Sequence, residues 1–121
     1  MAQQTWYTKQ GDAGRTVGGA NGVKLSGSNS LTGATVRFTM KLPGGAVKIN
    51  RQTATVLDAT NRRVTYALQT ADVDLSGATV AADGTVTYYG EWEVTYGSGV
   101  IETHPNRVGN EFVIVFQQQL A

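Results

Sequence analysis

Cysteine is absent from the 121-residue sequence, so the chain can form no disulfide and has no thiolate to act as a nucleophile or metal ligand. It contains one histidine, which leaves little for zinc coordination or histidine-based catalysis. No stretch of about eighteen apolar residues occurs, and the first residues lack the basic and apolar regions of a signal peptide. We therefore expect neither a membrane-spanning helix nor a structural metal.

Charge is scarce and balanced, with ten Lys and Arg residues against nine Asp and Glu residues and a net charge of +1. A protein that binds the phosphate backbone needs a concentrated excess of cationic side chains. The composition therefore argues against a nucleic-acid partner. The length fits one compact domain over residues 1–121, with a short extended segment at its N-terminus.

Threonine and valine are abundant and together account for 30 of the 121 residues, whereas leucine, glutamate and lysine together account for 15. β-Branched residues favour strands, and the straight-chain residues that favour helices are scarce. The composition predicts an all-β protein.

Alternating apolar and polar residues place the strands, most clearly over Ala34–Lys41 and Thr85–Tyr96. The predicted strands are Trp6–Gln10, Ala34–Lys41, Ala46–Asn50, Ala54–Leu57, Arg63–Leu68, Thr85–Tyr96, Val100–Thr103 and Glu111–Gln118. Arg15–Leu25 is a weaker candidate, because its glycines provide no side chains to pack. About seven strands joined by short turns predict a two-layer antiparallel β-sandwich.

The phase of the strands separates core candidates from interface candidates. The residues in the inward phase, which we expect to form the core, are Phe38, Tyr66, Trp92, Val94 and Tyr96. Trp6 and Tyr7 point to opposite faces of one terminal strand, so one of them needs a partner unless both faces are covered. The run from Phe112 to Phe116 is apolar on both faces and also requires cover. The interface candidates are therefore Trp6, Tyr7, Phe112 and Phe116.

No group of residues matches a catalytic, cofactor or metal site, so we predict none. Glu102 and His104 share a strand face, but two ligands do not complete a zinc site, and His104 is interpreted as a surface histidine. Glu91 and Glu93 also share a face, and a glycosidase needs two carboxylates. Such pairs normally face each other across a cleft, so this pair is interpreted as part of a solvated sheet face.

Loop residues give no stronger signal. Asp72, Asp74 and Asp83 lack the spacing of an EF-hand and are interpreted as hydrated loop charges. The glycines between positions 11 and 22 lack a phosphate-binding motif and a following helix, so they predict turns.

Four short sequence segments occur in order along the chain: Lys9-Gln-Gly-Asp-Ala-Gly14, Leu31-Thr-Gly-Ala-Thr-Val-Arg-Phe-Thr-Met40, Glu91-Trp-Glu-Val-Thr-Tyr96 and Glu102-Thr-His-Pro-Asn106. Together they resemble the N-terminal domain of the upper baseplate proteins of tailed bacteriophages, over about Tyr7 to Val115. The resemblance implies an immunoglobulin-like β-sandwich that docks onto a larger tail assembly without catalytic activity. The segment from Asp72 to Thr85 is longer than the connection usual in that family and predicts an added loop or edge strand.

The function that the resemblance implies is a virion structural protein, either a docking subunit of the tail or baseplate or an accessory subunit of the head or neck. The implied partners are other virion proteins in a symmetric assembly of many copies, with no nucleic acid and no membrane. The implied location is the virion, after synthesis in the host cytoplasm. A carbohydrate-binding module with exposed aromatic residues is the alternative, and a small hydrolase using Glu91 and Glu93 is a third hypothesis. Exposure of Trp92 tests the alternative, since a buried tryptophan cannot stack on a sugar.

Overall fold

The computed structural model describes residues 4–9, 11, 13–75, 80–105 and 112–117 of the chain. These residues form nine strands and one 3₁₀ helix. No helix among them is long and apolar enough to cross a membrane. The elements in chain order are β1 (Gln4–Lys9), β2 (Val23–Lys24), β3 (Thr35–Lys41), β4 (Val47–Thr53), β5 (Thr55–Asp58), β6 (Arg63–Thr65), the 3₁₀ helix (Thr70–Val73), β7 (Thr85–Thr95), β8 (Ile101–His104) and β9 (Phe112–Gln117). The prediction of an all-β sandwich is confirmed.

The larger sheet is built around β7, in the order β1-β9-β7-β3-β4. The first part of β7, from Thr85 to Gly90, pairs antiparallel with β9. Its second part, from Trp92 to Thr95, pairs antiparallel with β8, while β3 lies along the other side. The long alternation in the sequence therefore corresponds to a central strand with neighbours on both sides.

β1 differs from the antiparallel prediction, because it pairs in parallel with β9. Its orientation still follows the two-residue alternation of a strand. Trp6 lies opposite Ile114 and packs against the core, whereas Tyr7 lies opposite Val115 and is 68% exposed. The two aromatic side chains therefore point to opposite faces of the sheet.

The smaller sheet has the order β2-β6-β5. The predicted strand Arg15–Leu25 is reduced to two residues, because the chain passes very close to β6 at Gly22. A Cβ atom at Gly22 would lie 2.3 Å from the carbonyl oxygen of Val64, and Gly22 has a φ of +65°. Glycine is required there by both the space and the backbone conformation.

The two sheets pack around Phe38 in β3. Its ring centroid lies 4.4 Å from that of Trp92 in the same sheet and 5.4 Å from that of Tyr66, which follows β6 in the smaller sheet. Phe38, Trp92, Val94 and Tyr66 are all buried. Tyr96 is half-buried and packs against the margin of this core.

Phe112 and Phe116 are core residues, which corrects their prediction as interface residues. They are 5% and 0% exposed, because the interior of the sandwich covers the inner face of β9. The ring of Phe116 meets Tyr88 edge to face at 5.5 Å. Gly90 makes room for Phe112, since a Cβ atom at Gly90 would lie 2.7 Å from that ring.

Some predictions fall outside the described residues. Gln10, Glu111 and Gln118, at the ends of two predicted strands, are among these, as are residues 76–79 of the predicted added loop. The described parts of that segment are residues 72–75, which begin within the 3₁₀ helix, and residues 80–85.

Candidate functional site

The strongest polar feature of the described fold is a network around Arg62, which lies in the turn between β5 and β6. Arg62 has a φ of +58°, a conformation that residues other than glycine rarely adopt, and its side chain is 3% exposed. Asp58 fixes the turn, because its carboxylate accepts hydrogen bonds from the side chain and backbone N–H groups of Asn61, at 2.7 and 3.1 Å. These hydrogen bonds, led by the side-chain one, lower the pKa of Asp58.

Arg62 first fixes the loop that follows β2. Its Nε donates to the carbonyl of Leu25 at 3.2 Å, and its Nη atoms donate to the carbonyls of Ser26 and Asn29 at 2.6 Å each. The backbone N–H of Leu25 donates in return to the Arg62 carbonyl at 2.9 Å. Gly27 lies directly against the guanidinium, since a Cβ atom there would be 2.9 Å from Nη2. The sequence of this loop is polar and irregular, and one arginine orders it.

The remaining N–H groups of Arg62 reach the hairpin formed by β7 and β8. They donate to the Tyr96 hydroxyl at 2.7 Å and to Glu102 Oε1 at 3.1 Å. The Tyr96 hydroxyl donates to the same Glu102 oxygen at 2.9 Å. All five donors of Arg62 therefore have acceptors within the chain, and its charge is fully coordinated.

Glu102 and His104 complete the network. His104 Nε2 lies 3.1 Å from Glu102 Oε1 and 3.3 Å from Nη2 of Arg62. We assign the ring hydrogen to Nε2 because the carboxylate can act only as an acceptor, so the approach of Arg62 Nη2 is a contact between two donors and not a hydrogen bond. The hydrogen bond from His104, with further ones from Tyr96 and Arg62, outweighs the effect of burial and lowers the pKa of Glu102. Glu102 is held as a carboxylate by these contacts.

His104 is buried, so its interpretation as a surface histidine was wrong. It is 7% exposed and lies opposite Trp92, on the inward face of β8. Its Nδ1 atom has no hydrogen-bond partner among the described residues. The strand phase places His104 inside, because Trp92 is itself an inward residue.

A shallow depression lies beside the network. The residues that line it are Ser26, Gly27, Glu102, Thr103 and His104. The Glu102 side chain is 31% exposed and presents a carboxylate to solvent at this point. No group of three or more histidine, aspartate or glutamate residues suited to a metal ion occurs in the part of the chain that the structure describes. The depression can accept a hydrogen bond or a cation at one carboxylate.

Sequence reasoning found part of this network and missed its centre. Glu102 and His104 were recognised as neighbours on one strand face, and Tyr96 as an inward residue. Arg62 gave no signal, because its acceptors lie more than thirty residues away and are brought to it only by the fold.

Asp72 is also placed differently from its interpretation as a hydrated loop charge. It is 8% exposed and accepts hydrogen bonds from the Gln69 backbone N–H at 2.7 Å and from the Tyr66 hydroxyl at 3.3 Å. Burial and the neighbouring Asp72 carboxylate raise the pKa of Tyr66. The spacing of Gln69 and Asp72 at the start of the 3₁₀ helix is a capping pattern, which was the available signal.

Glu91 and Glu93 lie on the outer face of β7. Arg51, in β4, reaches across this face and forms an ion pair with Glu93 at 2.6 Å. Glu91 is exposed. Their surroundings are those of a solvated sheet surface, in keeping with the interpretation that the sequence favoured.

The second candidate feature is the free edge of β1. Among the described strands, β1 has a neighbour, β9, on one side only. Thr5, Tyr7 and Lys9 are exposed, and Tyr7 is the most exposed of the large hydrophobic side chains in the described residues. An edge of this kind leaves a row of backbone N–H and C=O groups available for another strand.

These features define an all-β sandwich domain with an internally coordinated arginine and an open sheet edge. No protein-family model matches the sequence, and no curated protein matches it. The chain is similar to the crystal structure of CopC from Methylosinus trichosporium OB3b. The identity is 11% and the TM-score 0.48, and the match covers 100% of this chain and 89% of that chain.

The comparisons do not support the predicted function. No family model of a bacteriophage protein matches, and the structure found is CopC and not a tail or head protein, so the prediction of a structural protein located in the virion is withdrawn. The carbohydrate-binding alternative is not supported either, and Trp92, at 1% exposure, cannot stack on a sugar.

Proposed function

We propose that this chain is a non-catalytic interaction domain, which binds a protein partner by accepting an added strand at the free edge of β1. The observation that carries the proposal is the edge itself. β1 has six residues in unbroken register with β9 and no second neighbour among the described strands. In strand addition, main-chain hydrogen bonds supply affinity and alternate side chains supply specificity.

The other edges of the two sheets are less suited to this mode of binding. β4 has two register shifts against β3, and Arg51 within it has a φ of +50°. Bulges and charged residues of this kind protect edges from further pairing. β2, β5 and β8 have two, four and four residues, which offers few backbone groups. β1 combines length and regularity.

Tyr7 supplies an anchor at this edge. Aromatic side chains are enriched at the centres of protein interfaces, where they bury a large area with few rotatable bonds. In the register of the sheet, Tyr7 lies beside Val115, and Thr5 lies beside Val113. Val113 is buried and Val115 is half-buried, so Tyr7 is the exposed apolar side chain that an added strand would cover.

The Arg62 network supports a role without catalysis. Arg62 and Oε1 of Glu102 use their hydrogen-bonding capacity within the chain, where they fix a loop and a hairpin. An arginine whose five donors are all satisfied in this way holds the loop and the hairpin in fixed positions. A rigid sandwich presents its edge in one conformation, which lowers the entropic cost of binding. The net charge of +1 favours a protein partner over nucleic acid.

Photo-crosslinking tests the proposal. A benzoylphenylalanine side chain would replace Tyr7 in the full chain, expressed in its cell of origin. The matched control places the same side chain at Val47, which is 56% exposed on β4. We expect protein adducts from position 7 and none from position 47. Equal yields from both positions, or no adduct from position 7, would contradict the proposal.

A further inference from the structure

We infer that the strand which occupies the β1 edge is β1 of a second copy of this chain, paired antiparallel about Tyr7. The inference rests on the proposed function, and it names the partner of that same edge. A twofold axis perpendicular to the sheet at Tyr7 places the two Tyr7 residues opposite each other and Thr5 of each copy opposite Lys9 of the other. One surface then serves both copies, as in other isologous dimers.

The two faces of β1 restrict the register. Thr5, Tyr7 and Lys9 are exposed on the outer side, whereas Trp6 packs inward and Thr8 is 7% exposed. Directly opposed residues of an antiparallel pair share a face of the sheet. A centre at Tyr7 keeps outer residues opposite outer residues, so the two sheets continue as one.

The choice between possible centres follows from Tyr7. A centre at Trp6 would also preserve the faces, but it would set each Tyr7 opposite Thr5. A centre at Tyr7 brings together the Tyr7 side chains of the two copies. Tyr7 is the most exposed large hydrophobic side chain among the described residues. Aromatic pairs opposite each other across a strand pair stabilise it, so this centre uses the exposed surface best.

The charges of β1 are compatible with a second copy. Lys9 is the one charged residue of β1. In the inferred register it faces a threonine and not the second lysine, so no like charges meet across the axis. Each chain has a net charge of +1, which gives little long-range repulsion between copies.

Charge variants at the axis test whether the partner is a second copy. Wild-type chain is expected to dimerise with rising concentration in sedimentation velocity. Tyr7→Lys and Tyr7→Glu should each raise the dissociation constant at least about tenfold, because like charges then face each other, and a mixture of the two should pair again. Val47→Lys is the matched control and should leave the dimer intact. A wild-type chain that stays monomeric, or a mixture that does not pair, overturns the inference.

Engineered cysteines test the register, since the natural chain has none. A mixture of Thr5→Cys and Lys9→Cys chains should form an interchain disulfide under mild oxidation, and neither variant should do so alone. Thr53→Cys on β4, mixed with Lys9→Cys, is the control that should stay unlinked. Linkage in either single variant, or none in the mixture, overturns the inferred register. A chain that remains monomeric but forms adducts from position 7 with another protein overturns this inference and supports the proposed function.

Discussion

Arg62 joins three segments that are distant in the sequence: its own turn, the loop after β2 and the hairpin of β7 and β8. Its donors satisfy the carbonyls of Ser26 and Asn29 and an oxygen of Glu102. An arginine is suited to this position, because its planar group carries five donors in fixed directions. The loop has few apolar side chains of its own, so its order depends on this residue.

Arg62→Met should lower the free energy of unfolding by about 2 to 4 kcal/mol, because it leaves buried acceptors and a carboxylate without their donor. Urea denaturation followed by tryptophan fluorescence would measure the change. Arg63→Met is the matched control, since Arg63 is half-buried and its side chain donates a long hydrogen bond of 3.5 Å to the carbonyl of Asn21. We expect that control to change stability by about 0.5 kcal/mol or less. Equal effects of the two substitutions would contradict the role given to Arg62.

Glu102 makes stability depend on pH in a defined direction. Hydrogen bonds from His104, Tyr96 and Arg62 lower its pKa from an ordinary value of 4.5, so the folded state favours the carboxylate. This contribution is present above the unfolded pKa and is lost as pH falls through the lower folded value. Between about pH 5 and about pH 3, the stability of wild-type chain should therefore fall more steeply than that of Glu102→Gln. Parallel pH curves for the two proteins would rule out this contribution.

The residues that sequence reasoning placed correctly are those whose environment follows from strand phase. Phe38 and Trp92 are inward in an alternating pattern, and both are buried. His104 and Asp72 were misplaced because polarity was taken as exposure, although each has a buried position with specific partners. Glu102 lies on the same strand as His104, and Gln69 lies three residues before Asp72, so the local spacing of polar residues contained a signal that polarity alone did not.

At the scale of elements, β7 organises the larger sheet. The sequence predicted it as Thr85–Tyr96, and the structure ends it at Thr95. The parallel pairing of β1 with β9 could not be predicted from the sequence of either strand. Alternation determines which face of a strand is buried, but it does not determine which strand lies next to it. The short β2 gave a weak signal for a different reason, since glycines interrupt the sequence before it, including Gly22, where the chain passes close to Val64.

Gly90 in β7 tests this close packing. Gly90→Ala would place a methyl group 2.7 Å from the ring of Phe112 and 3.0 Å from that of Phe38, inside the core. We expect a loss of about 1 to 3 kcal/mol in the free energy of unfolding, the usual effect of overpacking. Gly97→Ala is the matched control, because no atom lies within 4 Å of the added Cβ there. Thermal unfolding would compare the two, and a Gly90→Ala protein as stable as wild type would contradict the packing described.

At the scale of the whole molecule, two sheets enclose one core, and most edges of these sheets are short or bulged. β1 departs from this pattern, since it is regular and carries one charged residue. An unprotected edge favours association with another strand, which proteins otherwise prevent by bulges and charges. The sequence indicated this surface through Trp6 and Tyr7, and the fold shows that Tyr7 is the member of the pair that faces outward.

Hydrogen–deuterium exchange of the purified full chain at increasing concentration tests the central claim most directly. Strand addition at β1 would hydrogen-bond its outer backbone N–H groups, and hydrogen-bonded amides exchange slowly. Exchange in a peptide covering Gln4–Lys9 should therefore slow as the concentration rises, while exchange in Val47–Thr53 of β4 stays constant. Unchanged exchange in β1, or equal slowing in both strands, would contradict the pairing of two copies at this edge.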